Sequence, residues 1–161
     1  MIQDQPQEVA ITILDDNQIE LELIQIALKR ISKELNQDFK ASYFTEIDAF
    51  YDECKRSQPE LIITDLNIRN TNTIELVGKI RKNQVLKNTP ILMLSNSLNE
   101  EEILKSYQAG ISFFSKKESS FTKFVATIRK AIKLYILDID ENIEASSASA
   151  SVKFEPALSQ I

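Results

Sequence analysis

Two spacings of apolar residues alternate along this chain. Runs at about 8–14, 39–44, 60–66, 90–95 and 111–117 are dense in β-branched, aliphatic or aromatic residues. Between them, apolar positions recur every three or four residues, the spacing of a helix with one buried face. Ile11 to Leu14, Leu61 to Ile63 and Ile91 to Leu94 are almost continuously apolar, as strands covered on both faces are. Strands alternating with helices predict a parallel sheet, so the expected fold class is α/β, a three-layer sandwich with a five-stranded sheet between helices.

The first helix, about 17–33, carries Leu21, Ile24, Leu28 and Ile31 on one stripe. A weaker helix is expected at 46–57. A third, at 73–82, buries Ile74, Val77 and Ile80, with Gly78 expected to mark a close approach to a neighbour. For the fourth, Ser97 followed by Glu100 fits a capping box and Gly110 sits where a C-terminal cap belongs. The fifth, about 120–137, sets Phe121, Phe124, Val125, Ile128, Ile132 and Tyr135 on one side. From Asp138 the composition turns acidic and then to Ser and Ala, which cannot bury enough apolar surface to order itself. The expected organisation is an N-terminal extension at 1–7, one domain at 8–137 and a flexible tail at 138–161.

Composition narrows the function. With 161 residues and 43% apolar content the chain can build one real core. A net charge of -5 disfavours a phosphate-backbone binder, so nucleic acid is not an expected partner and proteins are. The start shows no basic segment followed by an apolar one, and no apolar run approaches a membrane span, so a cytoplasmic location is expected. The lone Cys54 reads as a small buried hydrophobe. Without histidine there is no Ser-His triad, no His-ligated zinc and no internal phosphohistidine donor. Two glycines, Gly78 and Gly110, cannot make a Walker loop or a dinucleotide fingerprint.

Chemistry concentrates at strand ends. Asp15 and Asp16 close the first strand and Asp65 closes the third. Parallel sheets place ligands outside the carboxyl ends of their strands, so these carboxylates converge on one crevice. Two such charges at about 4 Å repel by roughly 4 kcal/mol at an effective dielectric near 20. The cluster must therefore raise a pKa or hold a cation, and an all-oxygen set suits Mg²⁺. Ser95 and Lys117 then fall at the ends of the fourth and fifth strands.

The segments Ile13-Leu14-Asp15-Asp16-Asn17, Ile62-Ile63-Thr64-Asp65-Leu66-Asn67, Ile91-Leu92-Met93-Leu94-Ser95 and Phe114-Ser115-Lys116-Lys117-Glu118 resemble the receiver domain of two-component response regulators, the CheY-like family, over about 8–137. The resemblance implies a doubly wound (βα)5, flavodoxin-like unit. It implies that Asp65 is the phosphoacceptor, taking a phosphoryl group from a histidine kinase. It further implies that Asp15, Asp16, Asp65 and the backbone carbonyl of Asn67 hold Mg²⁺, and that Ser95 and Lys117 bind phosphoryl oxygens. Phe114 falls on the family's aromatic switch position, and Lys117 rather than Lys116 on its lysine, counted without a gap from Ser95 and Gly110. The surface of the fourth helix, fifth strand and fifth helix is then expected to meet a downstream partner or a second copy. The segment from Leu94 to Glu100 with Ser106-Tyr107 is similar to stand-alone regulators served by phytochrome-type and other hybrid kinases.

The chain departs from the family where Arg69 and Glu118 replace frequent prolines and Thr73 a frequent glycine. Two other readings compete with a stand-alone, non-enzymatic regulator. One is a receiver-like binding module that signals without phosphorylation. The other is an aspartyl phosphatase of the haloacid-dehalogenase type, whose acid/base aspartate two residues after the nucleophile is here Asn67, which cannot relay a proton.

Overall fold

The computed structural model describes residues 7–139, so nearly all of the expected N-terminal extension and of the tail lie outside the described residues. Five strands, β1 (Val9–Leu14), β2 (Phe39–Phe44), β3 (Leu61–Asp65), β4 (Ile91–Ser95) and β5 (Phe113–Lys116), form one parallel sheet in the order β2-β1-β3-β4-β5. They alternate with α1 (Gln18–Leu35), α2 (Ile47–Ser57), α3 (Ile74–Lys82), α4 (Glu100–Ala109) and α5 (Phe121–Tyr135). The order reverses at β1, whose neighbours are β2 and β3, and there a doubly wound sheet opens its crevice.

Side-chain alternation along each strand divides the core in two. Ile11, Ile13, Leu61, Ile63, Leu92 and Leu94 pack with the apolar stripes of α1 and α5. Leu14, Ile62, Ile91, Met93 and Phe114 point the other way, toward residues of α2, α3 and α4, among them Phe50, Val77, Ile80 and Ile103. Cys54 is fully buried in this second cluster, and burial pushes its thiol pKa up to about 12, which leaves it a small apolar filler.

The helix ends follow from local chemistry. Asn17 caps α1, its Oδ1 accepting from the N–H groups of Ile19 and Glu20. The cap of α4 is Asn99, which accepts from the N–H of Glu102, and not Ser97; Ser97 Oγ instead accepts from Asn99 in the turn before it. The pattern of a short polar residue three before a glutamate fits both positions, and the later pair wins. Gly110 closes α4 at φ 120°, a conformation other residues rarely adopt, and the Arg81 side chain fills the space a Cβ would need. Arg81 in turn donates to the carbonyls of Gly110 (2.7 Å) and Thr89 (2.7 Å), tying α3 to the loops that lead into β5 and β4.

Gly78 departs from its expected role. A Cβ there meets nothing within 4 Å, so no neighbour approaches the backbone. In the middle of α3 this glycine carries only its entropic cost. Gly78→Ala is therefore expected to raise unfolding free energy by about 0.5–1 kcal/mol, read as a higher urea midpoint at unchanged slope.

Candidate functional site

All five strands end at the same edge of the sheet, and the strand-end residues singled out in the sequence gather there. Asp15 follows β1, Asp65 ends β3, Ser95 ends β4 and Lys117 follows β5. Lys117 reaches back across the edge: its Nζ donates to Asp65 Oδ2 at 2.7 Å, to Asp15 Oδ2 at 2.9 Å and to a carboxylate oxygen of Glu20 on the first turn of α1. The ammonium is almost wholly enclosed, with its side chain 8% exposed.

This packing perturbs Asp15, Asp65 and Lys117. Burial pushes Asp15 up to about 6, with the shared bond to Glu20 adding to it and Asn17 N–H and Lys117 opposing. Burial also raises Asp65, against the pull of Lys117. For Lys117, burial works against the ammonium, but hydrogen bonds to Asp65, Glu20 and Asp15 outweigh it and hold the proton more tightly than usual.

The remaining residues frame this centre. Asp16 stands at the mouth, exposed, with Oδ2 accepting the N–H of Arg69 at 2.8 Å. Arg69 and Asn70, at φ 48° and 63°, make the two-residue turn of a short hairpin pairing Asn67–Ile68 with Thr71–Asn72, the positive-φ loop that right-twisted hairpins favour. Arg69 also pairs with Glu46. Asn67 opens the hairpin, its N–H donating to Asp65 Oδ1 at 3.3 Å. Thr73 is fully buried, and its hydroxyl lies 2.8 Å from the Asp65 carbonyl and 3.0 Å from that of Leu66, pinning the backbone beneath Asp65 to the start of α3. The peptide between Lys117 and Glu118 is trans, as are all the others described.

Ser95 is buried, and its Oγ accepts from the N–H of Ser97, which leaves the hydroxyl proton to donate elsewhere. Its carbonyl accepts the N–H of Lys117 at 2.8 Å, linking two site residues through backbone. Phe114 is buried beside Ile103, and its N–H donates to Tyr107 Oη, so β5 and α4 are joined at this point.

Among the described residues, ligand atoms of Asp15, Glu20 and Asp65 lie within 4.8 Å of one another. Hard carboxylate oxygens so crowded fit a divalent cation of the Mg²⁺ kind. Glu20 is the member that strand-end reasoning missed. Its signal was available: it falls in the first turn of a helix that starts at the same sheet edge.

Residues 11–129 match the family model of the response regulator receiver domain. The chain belongs to this family. The response regulator Rcp1 of Synechocystis sp. is 27% identical over 112 residues, spanning 66% of this chain and 75% of that protein. The chemotaxis protein CheY-3 of Vibrio cholerae is 28% identical over 93 residues, 56% of this chain and 72% of its own. Among solved structures, the Mn²⁺-bound form of Rcp1 superposes with a TM-score of 0.69 at 19% identity, covering 82% of this chain and 97% of that one. The receiver domain of sensor histidine kinase PA1611 of Pseudomonas aeruginosa, with magnesium in its active-site cleft, gives 0.67 at 15% identity, covering 81% and 98%. Likenesses at that identity establish the receiver fold. The acidic centre of this receiver is consistent with a divalent metal site, and no helix among the described residues is long and apolar enough to cross a membrane.

The raised pKa of Asp15 has a consequence for stability. Its folded value of about 6 exceeds the ordinary 3.8, so the native state binds more protons in that window. Stability therefore falls as pH rises through it, and the full penalty stands above about pH 6. Asp15→Asn removes the charge at nearly constant shape. In Mg²⁺-free buffer it is expected to stabilise the protein at pH 7 by on the order of 1–3 kcal/mol. The gain should shrink toward zero near pH 4, as read by urea unfolding at both values.

Proposed function

We propose that this receiver takes a phosphoryl group on Asp65 from the phosphohistidine of a partner kinase and signals through protein contacts. The observation that carries the reading is Lys117 Nζ bridging Asp65 and Asp15 at the carboxyl edge of the sheet. Phosphoryl transfer asks little covalent chemistry of a protein; it needs an oriented acceptor and fixed positive charge around the transferred oxygens.

Each residue has a part in that scheme. An oxygen of Asp65 attacks phosphorus, a P–O bond forms as the P–N bond to the kinase imidazole breaks, and the imidazole leaves as the neutral base once protonated. Asn67 N–H and Lys117 orient the two oxygens of Asp65 beforehand. Lys117 then pairs with a phosphoryl oxygen, and Ser95 donates its hydroxyl proton to another. Asp15, Asp16, Asp65 and the carbonyl of Asn67 would hold Mg²⁺. When bound, that ion supplies neutralisation of the charge spread over the phosphoryl oxygens.

Readout follows from the backbone links. A Ser95 drawn toward the phosphoryl group disturbs its turn to Ser97, the approach to α4. Phe114, joined to Tyr107 of α4, is placed to repack with it. The surface of α4, β5 and α5 is then the face that meets a downstream protein or a second copy. The relatives Rcp1 and CheY-3 favour a signalling role over catalytic turnover, and the phosphorylated cyanobacterial phytochrome response regulator RcpA has the same fold at a TM-score of 0.67. A phytochrome-type or hybrid kinase is the donor class this likeness suggests.

The test is intact mass after incubation with a small phosphodonor such as acetyl phosphate, with and without Mg²⁺. One Mg²⁺-dependent phosphoryl adduct is expected on the wild type and none on Asp65→Asn. A wild type that takes up no phosphoryl group overturns the reading in favour of a receiver-like module that acts without phosphorylation.

A further inference from the structure

Glu20 occupies a position that ordinary helix chemistry explains only in part. An acid in the first turn suits the positive end of the α1 dipole. Three residues after the cap Asn17, it also fits a capping box, in which its carboxylate would turn back to the N–H of Asn17. That N–H is already taken: it donates to Asp15 Oδ1 at 2.9 Å. Released from capping, the Glu20 carboxylate turns to Lys117 instead.

An ammonium has three N–H donors, and those of Lys117 face three different carboxylates. Asp65 and Asp15 lie at the sheet edge, as the proposed acceptor and its neighbour, whereas Glu20 reaches the same carboxylate cluster from a helix. A cavity of about 170 Å³ opens beside the pair, walled largely by Leu23, Ile24, Phe121 and Phe124. Apolar walls lower the local dielectric and strengthen the attraction between Glu20 and Lys117, as well as the repulsion between Glu20 and any added anion.

We propose that Glu20 is a positioning residue that holds Lys117 in the resting receiver and competes for it with a phosphoryl group on Asp65, lowering the phosphorylated fraction reached with a given phosphodonor. This rests on the phosphoacceptor reading above. Phosphorylation replaces a singly charged carboxylate with a more highly charged acyl phosphate. Lys117 must then divide its donors between the new oxygens and Glu20, whose own charge opposes the change.

Glu20→Gln keeps the size and removes the charge. At limiting acetyl phosphate and fixed Mg²⁺, intact mass is expected to show about a fivefold higher ratio of phosphorylated to unphosphorylated protein than in the wild type, the change produced by about 1 kcal/mol. The same substitution in a Lys117→Gln background is expected to give no such gain, because the residue competed for is gone. That coupling is a readout a purely structural role for Glu20 would not produce. Glu20→Ser is scored beside it, with circular dichroism checking the fold of each, so that a misfolded glutamine variant does not decide the outcome. A wild type that forms the adduct while both Glu20 variants match it, or fall below it, overturns this inference and leaves the phosphoacceptor reading standing. An equal gain with and without Lys117 overturns it as well. A wild type with no adduct overturns the phosphoacceptor reading itself.

Discussion

The structure is organised around a concentration of negative charge at one end of a parallel sheet and the single ammonium that makes it tolerable. Asp15, Asp65 and Glu20 crowd within 4.8 Å, and Lys117 bonds to all three from a site with little access to water. Carboxylates brought this close repel strongly, and burial adds its own penalty to each. The raised pKa values of Asp15 and Asp65 measure what the lysine leaves uncompensated. A fold selected for stability alone would place neutral or apolar residues at these strand ends. Here the excess charge is retained, and it makes the edge receptive to a cation.

The geometry of this centre is fixed by the strands that carry its residues and by the groups hydrogen-bonded to them. The two halves of the core grip opposite faces of each strand, so a one-residue slip in β1 or β3 would carry Asp15 or Asp65 to the wrong face. Thr73 shows the same economy at finer scale. Its buried hydroxyl bridges to the backbone of Asp65 and Leu66 and joins the end of β3 to α3. The turn at Arg69 and Asn70 brings a backbone N–H to Asp16, so the exposed aspartate is held by the hairpin that follows β3.

Sheet, helices and most of the site were legible in the sequence because each rests on short-range regularity. Continuous apolar runs marked β1, β3 and β4, and the three- and four-residue spacing marked the helices. The order of Asp15, Asp65, Ser95 and Lys117 at successive strand ends marked the edge. What escaped depends on competition between neighbours. Ser97 and Asn99 both carry a glutamate three residues on, and only the path of the chain out of β4 selects Asn99 as the cap. Gly78 looked like a close contact, but α3 leaves open space there. Glu20 went unmarked, because nothing local says that Asp15 has taken the N–H to which it would otherwise turn back.

The same network that stabilises the resting edge also connects it to the rest of the molecule. Lys117 is tied through its own N–H to the carbonyl of Ser95, and Ser95 through its hydroxyl to the turn that leads into α4. Before the chain reaches the edge at Lys117, β5 contributes Phe113 to one core and Phe114 to the other, where Tyr107 Oη of α4 accepts its N–H. Hydrogen bonds thus run from Lys117 to Ser95 and on to the turn before α4, and from β5 to Tyr107 in the last turn of that helix. Close-packed cores resist gradual deformation, so a rearrangement entering by these links is best accommodated as a shift of α4 and its contacts between discrete packings. Under the proposed phosphoacceptor reading, charge balance at the strand ends and the packing of α4 are two parts of one equilibrium.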